Sequence, residues 1–454
     1  MNTLQIGFAR HDITPPLGVT IGGSFEPPKA IEILDPLEAT ALAVADSNGS
    51  LVLMLSLDIL MLNRATVQQY KAAITEATGV PGDQIFIHCT HTHNGPSMTA
   101  MGGYPLSELN LKYREELGPK LAAVCAAAIS DRKPAKMGWT VGKAPNVAFI
   151  RRFRMKDGSV RSNPGINNPD ILEPLGEIDD RVNILRFDRE GAKTIVLVNF
   201  GNHPCVVNGP RISADWPAFM RRTVEAALPE CQCVFFNGAQ GDVNHVNVHP
   251  GECDRFLNYE PDECWKEVRH SFAVHMGRAM AGTVLQEYDK LKYIDVDRVC
   301  AVQKVIQIPT NRPTEEELVE ARRIRDMLHG GQAEQLHKEF PGMLFETACG
   351  ESSRMLGLEH GPDFDETELN VIAIGNVAFA GFPGEPFTSF SFAVKEAPGW
   401  DMILPTCLIN DTKGYFAGEQ NYAEGGYETA SSRYKPGTLE NLAEQIKEML
   451  AKLR

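Results

Sequence analysis

Several features are missing from this sequence, and each absence removes a class of function. The N-terminal stretch MNTLQIGFARHDITPP has no basic segment followed by an apolar one, so no signal peptide is expected. No apolar run approaches the length of a membrane span. Basic residues are outnumbered, 44 Lys and Arg against 59 Asp and Glu, for a net charge of -15. Such a charge argues against a nucleic-acid partner and against attraction to anionic membrane surfaces. The ten cysteines are scattered, and Cys231 and Cys233 on an apparent strand form neither a zinc knuckle nor a redox CxxC. They are read as mostly free, buried thiols, and the expected compartment is the reducing cytoplasm. No internal repeat or low-complexity tract is present.

What is there is an ordinary globular composition, 43% hydrophobic and 23% charged. The 454 residues suffice for a large core and are read as a single large domain. Apolar strands alternate with helical stretches, which predicts an α/β protein of mixed β-sheets flanked by helices. The run Leu51–Asp58 is apolar almost throughout, as in a strand buried on both faces. A helix is expected over Ala65–Thr78, stopped by Gly79, and another from Leu106 to Ile129, interrupted at Gly118-Pro119. Arg181–Phe187 and Thr194–Phe200 are expected to form a hairpin, as are Leu369–Ile374 and Val377–Ala380. Further helices are expected over Asp215–Ala227, Glu263–Gln286 and Leu439–Leu453, and strands over Cys231–Asn237, Val296–Gln307 and Met402–Ile409. Residues 314–360 are charged and mostly helical, beginning at Thr314–Glu317, and are read as an insertion or lid.

The stretch IFIHCTHTHNG (85–95) stands out. Ile85, Ile87 and Cys89 alternate as in a strand, and His91 and His93 follow two apart, so they should emerge side by side at its C-terminal end. Open α/β sheets place their chemistry there. A metal or an acyl-transfer centre fits, and so does a polar strand end with hydrogen-bonded histidines. A second histidine, His203, ends the strand Thr194–Phe200 in the same way. Asp58 is either a capping acid or a partner for a metal-bound histidine. Arg151 and Arg152 lie in a long Pro/Asn/Gly-rich segment, 143–180, and are either functional or a solvated basic patch. Gly241-Asp242 suggests backbone close to a ligand, and His245 with His249 is a weaker metal pair. Glu385 follows Pro383-Gly384 and is read as a helix-dipole cap or a ligand. The run 410–434 carries four tyrosines among glycines, a composition suited to lining a site.

Taken in order, these motifs resemble those of the neutral (non-lysosomal) ceramidases. HTHNGP at 91–96, Asn202-His203, GAQGDV at 238–243, PGEPFT at 383–388 and the stretch from Asn410 to Tyr427 are similar to that family's motifs in the same order. The resemblance implies the family's catalytic-domain fold and a zinc site of His91, His203, Glu385 and Tyr415. It also implies that His93 contacts the scissile group, that Tyr427 donates to the developing oxyanion and that Arg151 matches a substrate-binding arginine. Among the departures from the family's pattern, the GDVS serine is Asn244 here, and no C-terminal immunoglobulin-like domain is expected after the last helix.

The expected function is zinc-dependent hydrolysis of an amide in a small, polar N-acyl substrate. With Asn244 unable to act as a nucleophile, zinc-bound hydroxide is expected to attack directly. Ester, lactone or glycosidic hydrolysis at the same metal, or a non-catalytic metal- or ligand-binding protein, are the alternatives. A homo-oligomer is compatible with all of them.

Overall fold

The structure, a computed structural model, describes residues 4–100, 103–251 and 265–454. Its largest sheet runs, edge to edge, Cys231–Asn237, Thr194–Phe200, Arg181–Arg189, Lys133–Lys143, Gln5–Asp12, Glu38–Ala45, Leu51–Leu57, Ile85–Cys89, with Lys292–Ile294 also beside Lys133–Lys143. The interior pairings are antiparallel, and both edges are parallel pairs. Each edge pair is joined through a helix, Arg64–Thr78 on one side and Asp215–Ala227 on the other. A second sheet contains Val299–Pro309, Phe364–Ile374, Val377–Gly381 and Met402–Thr406, the last two again parallel.

Side-chain alternation sends the two faces of the large sheet into different cores. Val52, Met54, Phe86, Leu197 and Phe236 meet Val299, Ile372, Phe379 and Leu404 of the second sheet. Leu53, Leu55, Ile85 and Ile87 face the other way, onto Val67, Tyr70, Ile74, Leu117 and Leu121 of two helices. The apolar run at 51–57 is thus buried on both faces, as expected. Trp216, Met220, Met276 and Met280 cover the far edge, while Phe390, Ile446 and Leu450 cover the outer face of the second sheet. The order is therefore helix, sheet, sheet, helix, the mixed α/β architecture expected from the sequence.

Several boundaries differ from expectation. The helix Glu108–Ser130 continues through Pro119. Pro119 and Glu115, whose carbonyl it leaves without a donor, are both exposed, so water can serve that oxygen. Gly118 lies against Tyr70, where an added Cβ would be 3.3 Å from its ring. The strand expected from Val296 begins at Val299, and that expected to Ile409 ends at Thr406. The helix expected from Glu263 is described from Trp265, with Glu263 outside the described residues. Among the described residues six cysteines are free and buried. Residues 315–358 form three helices, and Thr314 makes the capping box that TEEE suggested. No helix among the described residues is long and apolar enough to cross a membrane.

Candidate metal centre and cleft

Three parallel strand pairs deliver the candidate residues. His91 follows Ile85–Cys89, His203 follows Thr194–Phe200, and Glu385 follows Val377–Gly381. Parallel neighbours bring loops from different parts of the chain to one end of a sheet. The simple pleat argument for His91 and His93 does not hold, because the strand stops at Cys89 and His91 takes a left-handed conformation, φ 76°. The two rings still meet edge to face, 4.9 Å apart. Loop bonds hold them there: the His91 amide donates to the Ile59 carbonyl at 3.0 Å and that of His93 to the Pro204 carbonyl at 3.0 Å.

The ring tautomers follow from their partners. His91 Nδ1 lies 2.9 Å from the Leu60 carbonyl, and His203 Nδ1 lies 2.9 Å from that of Gln240 and 3.1 Å from that of Val243. A carbonyl only accepts, so both Nδ1 atoms carry the proton and both Nε2 atoms present lone pairs. Those lone pairs face Glu385 Oε2 at 3.1 and 3.2 Å. Glu385 Oε2 is buried and has no hydrogen-bond donor. The short His–Glu contacts are therefore acceptor against acceptor rather than salt bridges. Such an arrangement is costly unless a cation sits among the three atoms. His93 Nε2 approaches His91 Nε2 to 3.3 Å and Tyr415 OH approaches His203 Nε2 to 3.5 Å. The ring nitrogens of His91, His93 and His203 lie within 4.8 Å of one another, the one such cluster among the described residues. Burial, reinforced by the Arg151 charge, pushes His203 down to about 4, and burial likewise holds His93 well below its ordinary value. The N/O donor set and its unprotonated state fit a divalent metal such as zinc.

Two cavities meet at this cluster, sharing Gly23, Ser24, His93, Tyr415 and Tyr427. One, of about 220 Å³, is also walled by His91, Glu385, Gly350 and Arg354. The other, of about 410 Å³, is also walled by Arg151, Asn163, His203, Asn244 and Glu346. Helix Met343–Leu358 thus contributes to both walls. Gly350 lets that helix lie on the tyrosine loop, since a Cβ there would be 2.3 Å from Ser431 Oγ and 3.3 Å from the Tyr427 ring.

The structure brings all eight sequence-derived residues to these walls or the cluster itself. Arg151 and Arg152 are buried, not a solvated patch. Arg151 Nε donates to Glu428 at 2.6 Å, one Nη donates to the Gly241 carbonyl at 2.8 Å, and the other lies 3.5 Å from His203 Nε2. Its guanidinium also lies against the rings of Tyr415 and Tyr427, 5.4 and 5.9 Å from their centroids. Burial, then the charge of Glu346, pushes the Tyr427 phenol up, so it stays a proton donor at neutral pH. Asn244 Oδ1 accepts from the Val246 amide and its Nδ2 donates to Asn163, both at 3.0 Å, leaving one amide hydrogen for a ligand.

Other readings are corrected. Asp58 touches no histidine, because it accepts from both Nη atoms of Arg221. Glu385 caps no helix. It pairs in parallel with Tyr415 in a short strand, and the next helix starts at Thr388. Asp242 takes the capping role, accepting from the Thr388 amide and hydroxyl at 2.8 Å each. Gly241 approaches the Glu385 backbone, where a Cβ would be 2.5 Å from its carbonyl oxygen, rather than a ligand. His249 is exposed and His245 packs at a tilt against Phe272, 5.9 Å between centroids. Tyr434 is core, buried against Phe416.

Two residues escaped the sequence reading. Glu428 is fully buried and holds Arg151 and Ser162. A buried arginine demands a counter-ion, but nothing in the sequence showed Arg151 to be buried. Gly23 presses on His93, a Cβ there falling 2.5 Å from Nδ1 at φ +94°, and one glycine among 39 carries no sign of that.

No protein-family model matches the sequence, and no curated protein matches it. Among solved structures, the chain is similar to the neutral ceramidase from Pseudomonas aeruginosa, with a TM-score of 0.74 and 16% identity, over 100% of this chain and 75% of that one. It is similar also to a ceramidase complexed with C2, with a TM-score of 0.74 and 15% identity, over 100% of this chain and 76% of that one. Over its whole length the chain has a neutral-ceramidase-like fold.

Proposed function

We propose that this protein is a zinc-dependent hydrolase that cleaves the amide bond of a small, polar N-acyl compound. The observation that carries the reading is the meeting of three proton-free acceptors, His91 Nε2 and His203 Nε2 lying 3.1 and 3.2 Å from Glu385 Oε2, at the junction of two cavities. His91, His203 and Glu385 would hold the ion, with Tyr415 beside them. When bound, zinc supplies Lewis acidity and a water whose pKa falls to about 7.

The remaining steps belong to the chain. Tyr427, kept protonated, and the free donors of Arg151 face the point where the carbonyl oxygen gains charge. His93 Nε2 faces the same point and carries a proton to the leaving nitrogen as the C–N bond breaks. Asn244 orients the substrate through its remaining amide hydrogen. It is no nucleophile, so the carboxylic acid forms in one displacement without an acyl-enzyme. The larger cavity is walled by Arg151, Asn163, Asn208, Asn244 and Glu346, which suits a polar molecule better than a lipid chain. The solved ceramidases with this fold are consistent with amide hydrolysis as the reaction class.

The test is hydrolysis of a panel of N-acetyl amines and N-acetylated sugars by zinc-loaded protein, followed by mass spectrometry. Release of free amine that stops on chelation and returns with zinc supports the reading. Release of alcohol from esters alone would replace it with esterase chemistry.

A further inference from the structure

Glu346 lies in the first turn of the helix Met343–Leu358 and lines the larger cavity with Arg151, Asn244 and Tyr427. Among the described residues, no hydrogen bond or ion pair reaches its half-buried carboxylate. The nearby charges do not satisfy it. His337 is paired with Glu26 at 2.8 Å, and these two act on Glu346 in opposite senses. Arg151 makes no bond to Glu346: its Nε and one Nη serve Glu428 and the Gly241 carbonyl, and its other Nη lies 3.5 Å from His203 Nε2. Partial burial pushes the Glu346 carboxyl up, as expected of a half-buried acid without a partner.

An acid in a first helical turn ordinarily complements the helix dipole. That role is served equally by exposed carboxylates, as at Glu315–Glu317 in the helix Glu315–His329, and does not by itself account for one that lines a cavity. The two cationic residues of the smaller cavity make a useful contrast. Arg354 is bonded to the carbonyls of Ala430 and Asn311, and Arg433 lies 3.8 Å from Asp365, so both have structural partners. Glu346 has none.

We propose that Glu346 determines substrate specificity by receiving a cationic nitrogen of the substrate, so that the preferred substrates are N-acyl compounds bearing a free ammonium group. This rests on the hydrolase reading for its site, but the recognition step can be measured without turnover. An ammonium in the cavity supplies the donors that the carboxylate lacks, and a charge-assisted bond there is stronger than a neutral one. A neutral analogue leaves the carboxylate unpaired, which turns Glu346 into a rejecting element as well as a binding one. The chain's net charge of -15 favours the approach of cations.

The experiment is calorimetric binding of mono-N-acetylated diaminobutane and of the N-acetylated amino alcohol of the same length to zinc-loaded protein. Both mixtures are then assayed for released acetate. Wild type is expected to bind the ammonium compound roughly 10- to 100-fold more tightly. Glu346→Gln should abolish that preference, weakening the ammonium compound and leaving the alcohol bound at least as tightly, without lowering the melting temperature, and Glu346→Asp should keep part of it. Equal binding of the two probes by wild type, no binding of either, or a preference that survives Glu346→Gln would overturn the proposal. A Glu346-dependent preference without acetate release would support this site and refute amide hydrolysis. Acetate release without a preference would do the reverse.

Discussion

Tyr427, His93 and Asn244 differ in what each substitution should leave intact. Tyr427→Phe removes a donor to the developing oxyanion, and turnover should fall by roughly 10²–10³ with zinc content unchanged. Steady-state rates and elemental analysis of the same preparation check both halves, and a wild-type rate would remove the role. His93 is the sharper case, because its Nε2 stands 3.3 Å from that of His91 and it belongs geometrically to the three-histidine cluster. If it carries protons, His93→Ala should keep its zinc and lose about 10²–10⁴ in rate; zinc lost along with rate would make it a ligand. Asn244→Ala should mainly raise KM, leaving the Val246 amide and Asn163 short of a partner at about 1–3 kcal/mol. Asn244→Ser should stay active, and an acyl group trapped on the protein would contradict attack in one displacement. The chemistry-bearing residues were legible because histidine, glutamate and tyrosine stand at strand ends and in a glycine-rich loop. Their partners were not. The carbonyls of Leu60, Gln240 and Val243 that fix the tautomers have no sequence signature, since every residue carries one.

Strands, helices and turns explain how residues far apart in sequence meet. The parallel pairs 51–57/85–89, 194–200/231–237 and 377–381/402–406 each send a loop to the centre. Hydrophobic patterning made these strands visible, and the helix Asp215–Ala227 was expected with its observed ends. Periodicity failed where tertiary contacts rule. Pro119 does not break its helix, because its exposed turn loses one bond while the buried face keeps its packing on the sheet. Glu385 reads as a helix cap until the strand pairing with Tyr415 and the remote cap from Asp242 are seen. The loop at Gly23 offers a test here. A methyl group at that position would fall 2.5 Å from His93 Nδ1 on a backbone at φ +94°. Gly23→Ala should cost about 1–2 kcal/mol in stability and, by displacing His93, lower the rate as His93→Ala does. Thermal melts with rate measurements check this; an unaffected rate would detach His93 from the chemistry.

For the whole molecule, the metal site joins loops from both sheets, so occupancy should register in global stability. A ligand at a thousand times its Kd adds about 4 kcal/mol to the folded state, and chelation should lower the melting temperature by roughly 5 °C. The last of three helices over 315–358, Met343–Leu358, places Glu346, Gly350 and Arg354 on the cleft, and we propose that this segment acts as its lid. The central claim, however, is the ion itself. The most direct measurement is elemental analysis of purified wild type beside the His91→Ala/His203→Ala double variant, both confirmed folded by circular dichroism. The account predicts about one zinc per wild-type chain and essentially none in the double variant. Full zinc in the double variant, or none in wild type after reconstitution, would contradict it.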